Sequence, residues 1–162
     1  MNTIRAFRKT RRPRLLALLS LLLACGACAV GFESQFRAGV QRRQIVALAV
    51  SLVGIPYVYG GSDIDGFDCS GMVCYVYDCF GIRLPRSARE QAELPGAVKL
   101  KHAAAGDILV FGMKKTWHSA IYLGDGRFIH APNSKNWVRL ETLNDYWLSR
   151  LVTVIAVLPG SG

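Results

Sequence analysis

The run Gly66-Phe67-Asp68-Cys69-Ser70-Gly71 places a thiol at the expected start of a helix. There the positive end of the helix dipole and unpaired backbone N–H groups favour thiolate, the reactive form. The same N–H groups can hold the oxyanion of a tetrahedral intermediate. Gly71 would let another backbone or a substrate approach closely. A cysteine in this position is equally compatible with a buried structural thiol. The chain has three histidines, His102, His118 and His130. His118 opens one expected strand and His130 closes the next, across the tight turn Gly124-Asp125-Gly126. If residues 124–126 form the loop, His130 falls opposite Ala120, two places from His118 on the same face. Such diagonal neighbours lie ~7–8 Å apart, with side chains in reach. A two-residue loop of 125–126 would put the rings on opposite faces. A cysteine, a histidine base and a third polar group that orients the base is the logic of a thiol hydrolase. A lone histidine in a sheet is more commonly a hydrogen-bonded structural residue, and His102 is read as surface.

The elements that must position these groups follow from periodicity and punctuation. Gln41–Val53 carries apolar residues at 45, 46, 48, 49, 52 and 53, a helical spacing ended by Gly54 and Pro56. Gly60–Gly66 reads as a loop, Cys69–Phe80 as a helix opened near Asp68 and closed by Gly81, and Pro85–Ala92 as a short helical piece. Ile108–Phe111, His118–Leu123, Arg127–His130, Val138–Glu141 and Val152–Leu158 read as strands. Thr142-Leu143-Asn144-Asp145 is expected to cap a short helix through Ser149. Helices followed by an antiparallel sheet predict an α+β domain, here over about residues 40–159. Cys69, Cys74 and Cys79 lie five apart, so on a helix neighbours point ~140° away from each other. They form no ligand stripe, and no C-x-x-C pair suggests zinc; no metal is expected.

The 162 residues carry a formal charge of +9, with 51 % hydrophobic and 10 % aromatic content. That composition supports one packed domain and argues against a disordered chain. The basic excess is concentrated in a leader. Residues 1–24 hold Arg5, Arg8, Lys9, Arg11, Arg12 and Arg14 and no acidic residue, leaving 14 basic and 11 acidic residues beyond them. With no broad basic face implied, a nucleic-acid partner is not expected. Met1–Arg14 is basic. Leu15–Ala24 is apolar apart from Ser20 and is ten residues long, against the ~20 a spanning helix needs. This is the layout of a secretory signal. Leu22-Leu23-Ala24-Cys25 has the form of a bacterial lipobox, cut before Cys25, whose thiol would form the thioether to a lipid; palmitate is the acyl chain expected on such a lipoprotein. Cys28 is a weaker candidate, and a plain cleaved signal is the alternative. Pro13 after Arg11-Arg12 favours general secretion over twin-arginine export. Residues 25–39 are expected to be a lipidated tether. Gly26 stands where an aspartate often retains lipoproteins at the inner membrane. The expected location is therefore the periplasmic face of the outer membrane, if the cell has one.

Five segments together resemble the NlpC-type family of papain-like cysteine peptidases of bacterial cell walls. They are Pro56-Tyr57-Val58-Tyr59-Gly60-Gly61, Phe67-Asp68-Cys69-Ser70-Gly71, Leu84-Pro85-Arg86-Ser87, Gly106-Asp107-Ile108 and His118–Pro132. The resemblance covers about residues 40–158, and the order and spacing of the segments make it specific. It implies a papain-like fold whose nucleophile helix packs on an antiparallel sheet. It implies hydrolysis of stem peptides of peptidoglycan, at the D-γ-glutamyl–diaminopimelate bond or the diaminopimelate–D-alanine crosslink. By position, Cys69 is the nucleophile, His118 the base and His130 the orienting residue. Tyr57 matches a tyrosine whose hydroxyl lies near the cysteine and assists the oxyanion. Asp68, Ser70 and Arg86 match recurrent positions and are expected to contact substrate, with Asp68 alternatively bracing the loop. Tyr59 also matches. Ala120 departs from a frequent glycine. A monomer with no cofactor is expected, its partners being stem peptides and, through the lipid, a membrane. At this length no SH3-like targeting domain is expected, which leaves wall targeting to the anchor. Trp117, Asn136 and Trp137 flank the histidine strands and are candidates to line a groove.

Overall fold

A computed structural model describes residues 33–113, 116–133 and 135–158. The leader, Cys25 and Cys28 lie outside the described residues. The chain divides into units of residues 1–36 and 37–162. Of the first, residues 33–36 are described, and they are helical and exposed. No helix among the described residues is long and apolar enough to cross a membrane.

In the second unit, helix α1 runs through residue 51, and residues 37–39, read from sequence as tether, are already helical. Ala38, Ile45, Ala49 and Leu52 form its buried stripe, and Gly54, at φ 94°, ends the turn that follows it. Two short strands follow, β1 (Ser62–Asp63) and β2 (Gly66–Phe67), paired antiparallel within the segment expected to be loop. Helix α2 is Cys69–Asp78, with Asp68 as its cap. Helix α3 is Ala88–Ala92, shorter than expected because Ser87, two residues after Pro85, is its cap and closes a capping box with Glu90. Strand β3 (Ala97–Val98) and the 3-10 turn Leu100–His102, where His102 is exposed, lead to the sheet.

The main sheet has six strands in the order β3-β8-β4-β5-β6-β7. They are β4 (Ile108–Met113), β5 (Thr116–Gly124), β6 (Arg127–His130), β7 (Arg139–Thr142) and β8 (Leu151–Ile155), and every pairing is antiparallel. Helix α4 (Asp145–Leu148) sits between β7 and β8 in sequence, capped by Asn144. Both faces of the sheet are covered. Ile108, Val110, Ile121, Ile129 and Ile155 pack against Ile45, Ala49, Met72, Val73 and Val76 from α1 and α2. Leu109, Phe111, Ala120, Phe128 and Val154 pack on the opposite side with Trp147 of α4. This explains why β4 reads as an unbroken apolar run: strands buried on both faces lose the polar alternation. Each large apolar side chain removed from water contributes ~1.5–3 kcal/mol. Arg42 of α1 reaches Asp107 at 2.7 Å and the carbonyl of Leu158 at 2.7 Å, tying the helix to both ends of the core. The α+β fold read from sequence is the fold observed.

Candidate active site

Asp68 builds the mouth of the site. Its backbone is extended (φ −88°, ψ 176°). Its Oδ1 accepts from the N–H of Gly71 at 2.7 Å, which fixes Cys69 as the first residue of α2. Oδ2 accepts from the N–H of Gly60 at 3.1 Å. The Arg86 guanidinium donates to Oδ1 and Oδ2 at 2.9 and 2.8 Å, and to Ser70 Oγ at 3.0 Å. Asp68 thus braces the 60–61 loop, the helix start and the segment before α3. Burial alone would raise its carboxyl, but Arg86 and the N–H of Gly71 outweigh it and hold the acid below its ordinary value. Ser70 and Arg86 are partners of Asp68 as well as lining the cavity. A Cβ on Gly71 would collide with the carbonyl oxygen of Gly61, so the close approach this glycine permits is that of the 60–61 backbone.

Gln91 was not visible from sequence. It is fully buried, and its side chain donates to the carbonyls of Pro85 (3.0 Å) and Ser70 (3.4 Å), locking α3 to the start of α2. No spacing rule singles out a glutamine inside a five-residue helix.

Tyr57 lies on a segment held from both sides. Its N–H donates to Asn136 (3.0 Å), and the neighbouring Pro56 and Val58 bond Phe67 of β2. Its side chain enters the same cavity as Cys69. Burial, then the nearness of Cys69 and Asp68, raises its hydroxyl above the ordinary value, so it is a neutral O–H donor.

The histidines meet across the β5–β6 hairpin. The register is Ile121↔Ile129 and Tyr122↔Phe128, with a shift before Gly124↔Arg127. The turn is tight at its tip, and Gly124, Asp125 and Gly126 all have positive φ. The irregularity beside Leu123 restores the register in which the two histidines share a face. Nε2 of His118 lies 2.8 Å from Nδ1 of His130. His130 is fully buried and its Nε2 has no hydrogen-bond partner among the described residues. His118 is 7 % exposed and lines the cavity.

Strand pairing ends where the thiol is needed. The N–H of Tyr122 bonds Asp107 on the β4 side, so the alternating N–H groups of Ile121 and Ser119 point toward β6. The β5–β6 ladder stops at Ile121↔Ile129. The N–H of Ser119 is free of the ladder and is directed to the sulfur of Cys69, as is that of Ser70.

The electrostatics revise one expectation. Burial pushes the Cys69 thiol up, and the N–H donors of Ser119 and Ser70 pull it back only in part, while the Asp68 carboxylate adds to the rise. Burial holds His118 down at about 4, and burial, His118 and Arg139 hold His130 at about 2. The helix start does not produce a resting thiolate. At neutral pH the thiol and both imidazoles are uncharged.

Cys69, His118, Tyr57, Asp68, Ser70 and Arg86 line one cavity of about 690 Å³, with Tyr59, Met113, Trp117 and Trp147 also on its walls. Asn136 and Trp137 are not among its lining residues. Cys69, Cys74 and Cys79 are free thiols. Cys74 points away from the cavity mouth toward the carbonyl of Pro85 (3.2 Å).

The chain is similar to several bacterial hydrolases and peptidases. It is 40 % identical over 115 residues to the gamma-DL-glutamyl hydrolase of Bacillus subtilis, covering 68 % of this chain and 28 % of that protein. It is 36 % identical over 121 residues to the murein DD-endopeptidase MepH of Escherichia coli, covering 68 % of this chain and 45 % of that protein. The chain thus spans under half the length of these relatives. Among solved structures, the NlpC/P60 domain of the peptidoglycan hydrolase SagA superposes with a TM-score of 0.64 at 35 % identity, over 72 % of this chain and 98 % of that domain. An NlpC/P60 family protein from Bacillus cereus superposes with a TM-score of 0.69 at 30 % identity, over 73 % of this chain and 40 % of that one. Residues 54–156, which carry every side chain of the cavity, match the NlpC/P60 family, and the chain belongs to that family.

Proposed function

We propose that this protein is an exported, lipid-anchored endopeptidase that hydrolyses amide bonds in the stem peptides of peptidoglycan. The observation that carries the reading is that Cys69 and His118 line one cavity while buried His130 bonds His118 from behind it. In the reaction, Cys69 Sγ attacks the amide carbonyl carbon as its proton passes to Nδ1 of His118. The charge arising on the carbonyl oxygen is taken by N–H groups at the start of α2 and by the Tyr57 hydroxyl. The intermediate collapses, the C–N bond breaks, and His118 returns the proton to the departing amine. Water then attacks the thioester, giving its proton to His118, and the thiol and a carboxylic acid are released. His130 orients His118 throughout. Asp68, Ser70 and Arg86 form the wall that meets the substrate.

The names of the relatives cover both a γ-glutamyl hydrolase and a DD-endopeptidase, so both the D-γ-glutamyl–diaminopimelate bond and the diaminopimelate–D-alanine crosslink are candidates. The lipobox at Cys25 supports attachment to a membrane, and Gly26 supports the outer membrane where one exists. The test is digestion of purified peptidoglycan by the full chain beside Cys69→Ala, with the fragments identified by mass spectrometry. New fragments from the wild type alone support the reading, and their masses name the bond. A folded wild type that releases none, while its Cys69 still takes an alkylating probe, points to an amide or ester outside the wall.

A further inference from the structure

Among the described residues, Trp147 is the one aromatic residue that packs on both histidines. Its ring is stacked on His118, with centroids 5.7 Å apart and planes at 30°. It is edge-to-face with His130 at 5.2 Å and 79°. Phe128 stands edge-to-face to both His130 (5.0 Å, 76°) and Trp147 (5.1 Å, 80°). The indole is 8 % exposed, and its open edge lies on the cavity wall. Its support is local. Asn144 caps α4 and accepts from the Trp147 N–H, while Arg150 covers the Tyr146 ring at 3.8 Å and bonds the Tyr146 carbonyl.

We infer that Trp147 is a positioning residue of the thiol chemistry: its indole plane fixes the His118 ring and closes the His118–His130 hydrogen bond to water. The inference rests on reading Cys69 and His118 as nucleophile and base. A base that uses Nδ1 must keep its proton on Nε2, and the 2.8 Å bond to His130 supplies that preference only while the rings hold their mutual angle of 81°. An imidazole held by one hydrogen bond can still rotate. A flat aromatic surface against its face removes that freedom without engaging either nitrogen. Phe128 and Trp147 stand at 76° and 79° to the His130 ring, so aromatic rings border the imidazole whose Nε2 is buried without a hydrogen-bond partner among the described residues.

The experiment compares wild type with Trp147→Ala, Trp147→Phe and Val154→Ala in the full chain. Val154→Ala thins the same apolar cluster from β8, two strands away from β5. Two readouts are taken: the tautomer of His118 from long-range proton–nitrogen NMR, and kcat and KM on a soluble muropeptide. The wild type is expected to show one tautomer, protonated at Nε2. Trp147→Ala is expected to show mixed tautomers and a kcat about 10²-fold lower with KM little changed. Trp147→Phe, which keeps a flat ring, is expected to retain the tautomer and most of kcat. A folded Trp147→Ala with the wild-type tautomer and kcat overturns the inference. So does a Val154→Ala variant that scrambles the tautomer equally, since the effect would then be general loosening. If the wild type cleaves no muropeptide, the functional reading fails while the tautomer still decides the role of Trp147.

Discussion

The Nε2 atom of His118 is committed to Nδ1 of His130 at 2.8 Å, so the nitrogen it can turn toward Cys69 is Nδ1. This assigns a direction to the proton relay. In the proposed mechanism His118 donates through Nε2–H, His130 accepts at Nδ1, and His130 keeps its own proton on Nε2, which is buried without a hydrogen-bond partner among the described residues. Because His130 is fully buried and held at about 2 by burial and its neighbours, the role proposed for it is to orient His118 as a neutral ring, not to carry charge.

That assignment predicts the behaviour of His130 variants. In asparagine, Oδ1 hangs from Cγ as Nδ1 does in histidine, so His130→Asn keeps an acceptor in place. His130→Ala leaves the Nε2–H of His118 unpaired in a buried site. Asparagine is expected to retain most of kcat, and alanine to lose about 10²-fold or more. Steady-state rates on muropeptides, with KM recorded separately, decide this. Equal losses in both variants would show that the acceptor atom is not what matters.

The uncharged resting pair predicts a pH signature. Burial raises the Cys69 thiol and lowers His118 to about 4, so proton transfer accompanies attack and does not precede it. The profile of kcat/KM is expected to be bell-shaped, with its acid limb near pH 4 and its alkaline limb above the ordinary thiol range. The limbs belong to the coupled pair. Alkylation of Cys69 by iodoacetamide, which needs thiolate, is expected to keep accelerating through about pH 9. A plateau already reached near pH 6 would reveal a standing thiolate–imidazolium pair and overturn this account.

Local rules made much of this site legible in the sequence. The N-cap at Asp68, the helix from Cys69 and the hairpin carrying both histidines follow from capping preference, helical period and a Gly-Asp-Gly turn. The same rules do not reach through space. Whether His118 and His130 share a face depended on an irregularity at Leu123 that no pattern specifies. Trp147 sits in a four-residue helix too short to show a period, and its stacking on His118 arises from a crossover between β7 and β8. The β1–β2 pair escaped notice because two-residue strands carry no alternation. The helical dipole suggested a thiolate, but desolvation is set by what packs over Cys69, and that is a tertiary property.

Asp68 separates two effects that sequence cannot rank. Its carboxylate caps α2 and pairs with Arg86, whose side chain is 45 % exposed while that of Asp68 is 13 % exposed. A half-exposed pair is screened and contributes little, whereas losing a cap typically costs about 1 kcal/mol. Asp68→Asn, which keeps an oxygen for the Gly71 N–H, is therefore expected to cost less than Asp68→Ala in urea unfolding. Equal losses would mean that the ion pair dominates despite its exposure.

Acid should weaken the fold in two stages. An unfolded histidine titrates at its ordinary 6.5, while folded His118 resists protonation down to about 4. Between those values the unfolded chain binds protons that the folded chain excludes. Stability from this group is thus complete above 6.5 and is lost as pH falls toward 4, an effect on the order of a few kcal/mol. His130 acts in the same direction and is held lower still. Below about 3.8, Asp68 adds its own loss, because its folded carboxyl is held under its ordinary value. Urea midpoints taken from pH 7 to pH 4 are expected to fall steadily, and His130→Asn, with one buried imidazole removed, should fall less steeply. A midpoint independent of pH over that range would mean that both rings protonate freely in the folded protein, and the enclosed, neutral histidine pair would have to be abandoned.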